Sequence, residues 1–101
     1  MIVNVTDASP GKSVLSHDNW DGDGNYKLMM NLWWGTNGSE YRLYENGQLI
    51  DTKLLSVVTP NGQHAVTDLS DKAVGEYEYY SELVNTAGTT SSETIKVKVV
   101  K

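Results

Sequence analysis

The most informative stretch of the sequence is Asp71-x-Ala73-x-Gly75-x-Tyr77-x-Tyr79. Gly75 interrupts the chain before a run in which tyrosines alternate with glutamates, and a period of two is that of a β-strand. In domains made of two packed β-sheets, a tyrosine at such a corner turns inward, and its hydroxyl bonds to backbone a few residues upstream. We therefore expect Tyr77 to close a corner of this kind and Tyr79 to lie in the core.

Turn signals divide the rest of the chain into short segments. The dipeptide Asn-Gly occurs at Asn37-Gly38, Asn46-Gly47 and Asn61-Gly62, and both residue types tolerate the positive φ that tight hairpin turns need. The segments between turns are rich in Val, Ile, Tyr, Trp and Thr, which favour strands. We predict seven strands near residues 13–17, 25–34, 39–45, 48–54, 63–69, 75–85 and 92–100. This pattern predicts an all-β antiparallel sandwich.

Alternation within two of these strands predicts which side chains form the core. In the second strand, the core face carries Tyr26, Leu28, Met30, Leu32 and Trp34. The opposite face carries Lys27, Met29, Asn31 and Trp33. In the last strand, Ile95, Val97 and Val99 alternate with the outward residues Lys96, Lys98 and Val100. Burial of each aliphatic side chain stabilises by roughly 1.5–3 kcal/mol, so these rows fix the register.

The composition describes a small acidic domain. The 101 residues include 13 acidic and 8 basic side chains, for a net charge of −5, and no cysteine. A chain of this length predicts one domain, and the lack of cysteine excludes disulfides and thiolate chemistry. The negative charge argues against nucleic acid or an anionic membrane as partner, because both need clustered lysine and arginine. We expect a monomer without a cofactor.

The start of the chain contains a predicted module boundary. Ser9-Pro10-Gly11-Lys12 combines two residues that interrupt regular structure. We therefore assign residues 10–101 to the β-sandwich module. Residues 1–9 are assigned to a linker or to an edge strand, and both alternatives stay open at this point.

Four segments carry a resemblance to a known family. They are Pro10-Gly11-Lys12, Asn31-Leu32-Trp33-Trp34-Gly35, Tyr44-Glu45-Asn46-Gly47 and Glu82-Leu83-Val84-Asn85-Thr86-Ala87-Gly88. With these segments, residues 10–100 resemble the immunoglobulin-like or fibronectin type III-like modules attached to bacterial chitinases and related glycoside hydrolases. They are similar to the N-terminal domain of chitinase A. The chain departs from antibody domains at Tyr79, which stands where those domains have a disulfide cysteine.

The resemblance implies a fold, a function and a location. The fold is an immunoglobulin-like sandwich of about seven strands. The function is that of a non-catalytic accessory module in a secreted bacterial enzyme, joined in one chain to a catalytic glycoside hydrolase domain. Such a module assists contact with a polysaccharide, chitin or another β-glycan. Two alternatives remain open, a rigid spacer without a ligand and a protein-binding or adhesive surface domain.

Outward aromatic rings are the candidates for carbohydrate contact, because pyranose rings stack their C–H faces on flat aromatic surfaces. Trp33 matches the Asn-Leu-Trp motif of the family, so the resemblance implies a chain-guiding role for it. Tyr44 falls out of phase with the inward row Tyr41/Leu43 of its own strand, and Tyr80 falls out of phase with the inward row Tyr77/Tyr79. Their rings are candidates for a small platform with Arg42 and Glu78 nearby.

Two more tryptophans are candidates to flank a site at a sheet edge. Trp20 lies in the loop before the second strand, and Trp34 lies at the end of that strand. The competing interpretation is that outward rings only pair across strands. For Trp34, packing in the core is the favoured interpretation.

The loop over residues 18–25 resembles the opening of a calcium-binding loop. Asn19-x-Asp21-x-Asp23-Gly24 places oxygen atoms at alternate positions before a glycine. However, Met30 stands where such a loop has its bidentate glutamate, and a strand follows in place of a helix. We favour a polar turn and assign no metal ligand.

Catalysis by this chain is not expected. Glycoside hydrolysis needs two carboxylates across a cleft that shapes the sugar. Glu76, Glu78 and Glu82 alternate on the outward face of one strand, where a flat sheet offers no cleft. The two histidines, His17 and His64, have no nucleophile motif beside them. We assign no catalytic residue.

Overall fold

The computed structural model describes residues 9–57 and 61–101, which contain eight β-strands. The strands are β1 (Val14–His17), β2 (Tyr26–Trp34), β3 (Glu40–Glu45), β4 (Gln48–Leu54), β5 (Asn61–Leu69), β6 (Gly75–Asn85), β7 (Gly88–Ser91) and β8 (Ile95–Val99). Residues 1–8 lie outside the described residues, so their assignment to a linker or an edge strand stays a prediction. Within the described ranges, no helix is long and apolar enough to cross a membrane.

The strands form two antiparallel sheets packed face to face. One sheet has the order β1-β2-β5, and the other has the order β4-β3-β6 with β7 and β8 both paired to β6. The β3–β4 hairpin turns at Asn46-Gly47, where both residues have positive φ, 50° and 86°. Asparagine and glycine tolerate this conformation, which tight hairpin turns need. The predicted all-β antiparallel sandwich is confirmed, with eight strands where seven were predicted.

The predicted strand near residues 92–100 is β8, and a short strand that was not predicted, β7, precedes it. β7 pairs with residues 82–85 of β6, and β8 pairs with residues 75–79 of the same strand. Between them the ladder is interrupted, but Ser92 stays attached to Ser81: its amide donates to the Ser81 carbonyl at 2.8 Å, and its hydroxyl accepts from the Ser81 amide at 2.9 Å. Residues 88–91 are glycine, threonine and serine, so apolar alternation gave no sign of β7.

The core lies between the inner faces of the two sheets. Its buried apolar side chains are Leu15, Tyr26, Leu28, Met30, Leu32, Tyr41, Leu43, Ala65, Tyr79, Leu83, Val97 and Val99. The face assignments of β2 and β8 are therefore confirmed at these positions. The assignment is wrong for Trp34, which is 76% exposed. Trp34 is the last residue of β2 and pairs with the first residue of β5, so it lies past the final core layer at Leu32.

A pair of tyrosines connects the two sheets through their hydroxyl groups. The hydroxyls of Tyr26 on β2 and Tyr79 on β6 are 2.6 Å apart. Tyr79 donates its one hydroxyl proton to Glu45 Oε2 at 2.6 Å, so Tyr26 is the donor to Tyr79. Lys72 Nζ lies 2.6 Å from the same carboxylate oxygen. Burial, followed by the hydrogen bond to Glu45, raises the pKa of Tyr79 well above its ordinary value.

A second hydroxyl bridge connects the sheets near the open edge of the sandwich. Tyr41 of β3 and Thr67 of β5 are joined by a 3.0 Å hydrogen bond. The Thr67 hydroxyl donates to Asp51 Oδ2 at 2.6 Å, so Tyr41 donates to Thr67. Tyr41 is fully buried, and burial raises its pKa to about 12.

The corner expected at Tyr77 is present. The Tyr77 hydroxyl donates to the Ala73 carbonyl at 2.6 Å, four residues upstream. The ammonium group of Lys72 lies 4.9 Å from the centre of the Tyr77 ring, within cation–π range. These contacts hold the segment that enters β6 against its own upstream backbone.

Replacing Tyr77 with phenylalanine is expected to lower the free energy of unfolding by about 0.5–1.5 kcal/mol, because the ring stays while one intramolecular hydrogen bond is lost. Urea unfolding followed by circular dichroism measures the change. Tyr80→Phe removes a hydroxyl from the outer face of the same strand and is the matched control. Equal stability of the two variants would show that the corner bond contributes nothing.

Candidate functional site

Trp33 lies on the outer face of the three-stranded sheet, near the end of β2. Its indole is 69% exposed, and it alternates with the buried Leu32. The register puts Gly62 of β5 across from it. A Cβ at Gly62 would come within 2.7 Å of the Trp33 carbonyl oxygen, so this position needs glycine. On the β5 side, the neighbouring strand therefore has no side chain to cover the indole. This is an exposed ring of the kind that the sequence predicted.

Two polar side chains lie beside Trp33 on the same face. Asn31 is two residues earlier on β2, and the register pairs it with His64 of β5. Directly paired residues of antiparallel strands point to the same side of a sheet, with Cβ atoms about 4.5–5.5 Å apart. Neither side chain has a hydrogen-bond partner in the described part of the chain. The sequence placed Asn31 on this face, but the pairing with His64 depends on a register that alternation does not give.

The other two tryptophans are also exposed, but they lie at opposite ends of β2. Trp34, 76% exposed, is the last residue of the strand. Trp20, 83% exposed, lies in the turn before the strand, with its ring centre 4.7 Å from that of His17. β2 has nine residues, so its two ends are about 26 Å apart. Trp20 and Trp34 therefore do not flank one common site.

Tyr44 and Tyr80 are brought together, as the sequence predicted, but they do not form a flat platform. They are a cross-strand pair of β3 and β6 on the outer face of the second sheet. Their ring centres are 4.7 Å apart, and their planes differ by 9°. At this separation parallel rings are stacked face on face, so each ring covers one face of the other. The arrangement is the cross-strand aromatic pair that was the competing interpretation.

Two polar side chains of this tyrosine pair's surroundings, Tyr44 itself and Arg42, have partners. A hydrogen bond to the Glu82 carboxylate raises the pKa of Tyr44, and the nearby Arg42 opposes that rise. Arg42 Nε is in turn paired with Glu40 Oε2 on the same strand. The backbone amide of Glu78 donates to the Asn46 side chain at 2.9 Å. Tyr44 and Arg42 are therefore already held by neighbouring carboxylates.

Side chains of the polar loop before β2 accept hydrogen bonds from nearby backbone amides. Asp18 Oδ1 accepts from the Lys27 amide at 2.7 Å, and Asp23 Oδ1 accepts from the Asn25 amide at 2.9 Å. Asn25 Oδ1 accepts from the Asp71 amide at 3.2 Å. Residues 9–57 and 61–101 contain no group of three histidine, aspartate or glutamate side chains placed to hold a metal ion. These contacts are those of a polar turn.

Some charged side chains elsewhere are paired with one another. Glu76 on β6 lies 3.9 Å from Lys96 Nζ and 3.8 Å from Lys98 Nζ. A shallow groove between the edge strands β4 and β5 has Asp51 and Lys53 in its lining, and these two are 3.4 Å apart. Neither arrangement places two free carboxylates across a cleft, which glycoside hydrolysis requires.

The molecule is thus an all-β sandwich with exposed indoles at its ends and one exposed indole beside unpaired polar groups. No protein-family model matches this chain, and no curated protein sequence matches it. Its function is therefore inferred from the fold and from the surface around Trp33.

Proposed function

We propose that this domain is a non-catalytic accessory module of a secreted bacterial polysaccharide-degrading enzyme, and that it contacts the polysaccharide through Trp33. The ligand is chitin or another β-glycan, and the catalytic glycoside hydrolase domain is part of the same chain. The observation that carries the proposal is the uncovered indole of Trp33 on a flat sheet face, opposite a glycine.

The physical reason is that an exposed indole is a ready surface for a sugar. A pyranose presents a face of C–H groups, and burying it against an aromatic ring removes apolar area from water on both sides. Polar groups at the rim then bind hydroxyls, and Asn31 and His64 lie at that rim. A flat face suits an extended or crystalline glycan better than a small molecule, which needs an enclosing cleft.

One further observation favours the second candidate, a spacer that packs against neighbouring domains. Residue Gly11 bonds to Thr36, at the same end of the sandwich as Trp34, whereas Val100 bonds to Gly22, in the turn that carries Trp20. The chain thus enters the sandwich beside one exposed tryptophan and leaves it beside another. A domain joined at either end would lie against Trp34 or Trp20, while Trp33 on the sheet face would remain free for a glycan.

The experiment that tests the proposal measures retention on insoluble chitin and on cellulose. We expect the wild-type domain to be retained and Trp33→Ala to lose most of its retention, because the stacking surface is removed. A stacked ring is worth on the order of 1–3 kcal/mol by analogy with base stacking, which corresponds to about a 5- to 150-fold loss of affinity.

Trp20→Ala is the matched control, since it removes an equally exposed indole at the other end of β2. Its retention should equal that of the wild type. Retention lost equally in Trp20→Ala and Trp33→Ala would assign binding to nonspecific apolar contact. No retention of the wild type on either polymer would refute the glycan contact and leave the spacer as the function.

A further inference from the structure

Strand β4 is an edge strand with one free side. It is the outermost strand of the sheet ordered β4-β3-β6, and in the described part of the chain it pairs with β3 alone. The Leu55 amide donates to the Ser39 carbonyl at 2.9 Å, so the backbone groups of Leu55 and Lys53 point toward β3. The amide and carbonyl of Thr52 and Leu54 alternate with them and point to the free side. Another strand can therefore pair with this edge.

Apolar side chains are exposed along the same edge. Edge strands in natural proteins are commonly protected by charged residues, and β8 carries exposed lysines of this kind. On β4, Leu54 is 86% exposed, Leu49 is 51% exposed and Ile50 is 40% exposed. The one lysine of this strand, Lys53, lies 3.4 Å from Asp51 and is paired with it. An exposed apolar edge of this kind favours pairing with a further strand.

The sequence of β4 is complementary to itself in one antiparallel register. A two-fold axis at Thr52 places Asp51 opposite Lys53 of the second copy, and Lys53 opposite Asp51 of the second copy. Opposite charges that face each other across strands stabilise a sheet, and like charges destabilise it. An axis at Asp51 would oppose two carboxylates, and an axis at Lys53 would oppose two ammonium groups. The register centred on Thr52 also brings Leu54 next to Ile50 of the second copy.

We propose that two copies of this domain associate through β4, as an antiparallel pair of edge strands with the two-fold axis at Thr52. The Thr52 amide of each copy donates to the Thr52 carbonyl of the other, and both groups already point to the free side. Asp51 and Lys53 of the two copies form four alternating charges. Each copy has one β4 edge, so the association closes at a dimer. This dimer would replace the monomer expected from the composition, and it does not depend on glycan contact at Trp33.

Sedimentation velocity at loading concentrations from about 10 µM to 1 mM tests the proposal, because so short a ladder buries less than ~1,200 Å² and forms a weak interface. We expect the sedimentation coefficient of the wild type to rise with concentration toward that of a dimer. Thr52→Pro removes an amide hydrogen that β3 does not use, and it should stay monomeric. A wild type that is monomeric at the highest concentration, or a dimer that persists in Thr52→Pro, would overturn the proposal.

Charge exchange tests the register. Lys53→Asp and Asp51→Lys should each stay monomeric, because like charges then face each other across the axis. An equimolar mixture of the two variants should dimerise, since opposite charges face each other again. Lys96→Asp is the matched control, the same charge reversal at an exposed position of β8, and it should dimerise as the wild type does.

Circular dichroism first establishes that each variant is folded. Dimerisation of either β4 charge variant alone, or a monomeric mixture of two folded variants, would overturn the proposal. Asp51 accepts a hydrogen bond from Thr67, so Asp51→Lys is the variant most exposed to unfolding. If it unfolds, Lys53→Asp and Thr52→Pro still decide the outcome, because both must abolish the dimer while Lys96→Asp keeps it.

Discussion

Replacing Tyr79 with alanine is expected to lower the free energy of unfolding by about 3–5 kcal/mol, the usual cost of removing a buried aromatic ring. The Tyr79 side chain, on β6, is fully buried. Its removal also takes away the hydroxyl that accepts a hydrogen bond from Tyr26 and donates one to the Glu45 carboxylate. A loss of this size is a large share of the stability of a domain of this length. Urea unfolding measures it.

Two variants identify the source of that loss. Tyr79→Phe keeps the ring and removes the hydroxyl, so it should cost about 1–3 kcal/mol, because Tyr26 and Glu45 are left without their common partner. Tyr80→Ala is the control from the adjacent position and should cost only the value of an aromatic pair, about 0.5–1.5 kcal/mol. A Tyr79→Ala variant no less stable than Tyr80→Ala would contradict the assignment of Tyr79 to the bridge between sheets.

The second large effect is a loss of stability in alkali. The pKa of Tyr41 is about 12 in the folded state and 10.0 in its ordinary state. A raised pKa means that folding favours the neutral phenol, so this stability is complete below about pH 10 and is lost as pH rises from 10 to 12. At about 1.4 kcal/mol per pH unit, Tyr41 alone loses roughly 3 kcal/mol across that range. Burial raises the pKa of Tyr26 and Tyr79 too, so they act in the same direction.

Urea unfolding at a series of pH values measures this dependence, and the variant Tyr41→Phe shows how much of it comes from Tyr41. The variant should be less stable than the wild type at pH 8, because Thr67 loses its donor, but its stability should fall less steeply above pH 10. Leu43→Val weakens the same strand while keeping every tyrosine, so it should retain the wild-type slope. Identical slopes in all three proteins would contradict the burial of the Tyr41 hydroxyl.

Much of the fold could be predicted because alternation and turn chemistry are local signals. The hairpin at Asn46-Gly47 and the buried rows of β2 and β8 follow from residue types at fixed spacing. β7 was missed because a strand of threonine and serine has no apolar face. Trp34 was assigned to the core because alternation gives the side of a strand, but not where the opposite sheet ends.

The candidate site was less predictable because it depends on pairs from separate strands. The sequence identified Trp33 as an outward residue, and its exposure agrees. The pairing of Asn31 with His64, and the glycine across from Trp33, require the β2–β5 register. Likewise, the prediction that Tyr44 and Tyr80 lie on the outer face of their sheet is confirmed. The angle between their rings, however, depends on side-chain rotamers. With the observed rotamers the two rings stack on each other and do not lie side by side as a platform.

The most direct test of glycan contact at Trp33 is an NMR titration with soluble chitin and cellulose oligosaccharides. The three tryptophans give three indole N–H signals, each assigned by one tryptophan variant. Binding at the proposed site predicts a concentration-dependent shift of the Trp33 indole signal and of the Asn31 and His64 amides, with the Trp20 signal unmoved. Shifts confined to Trp20, Trp34 or the Tyr44–Tyr80 pair, or no shift with any oligosaccharide, would contradict it.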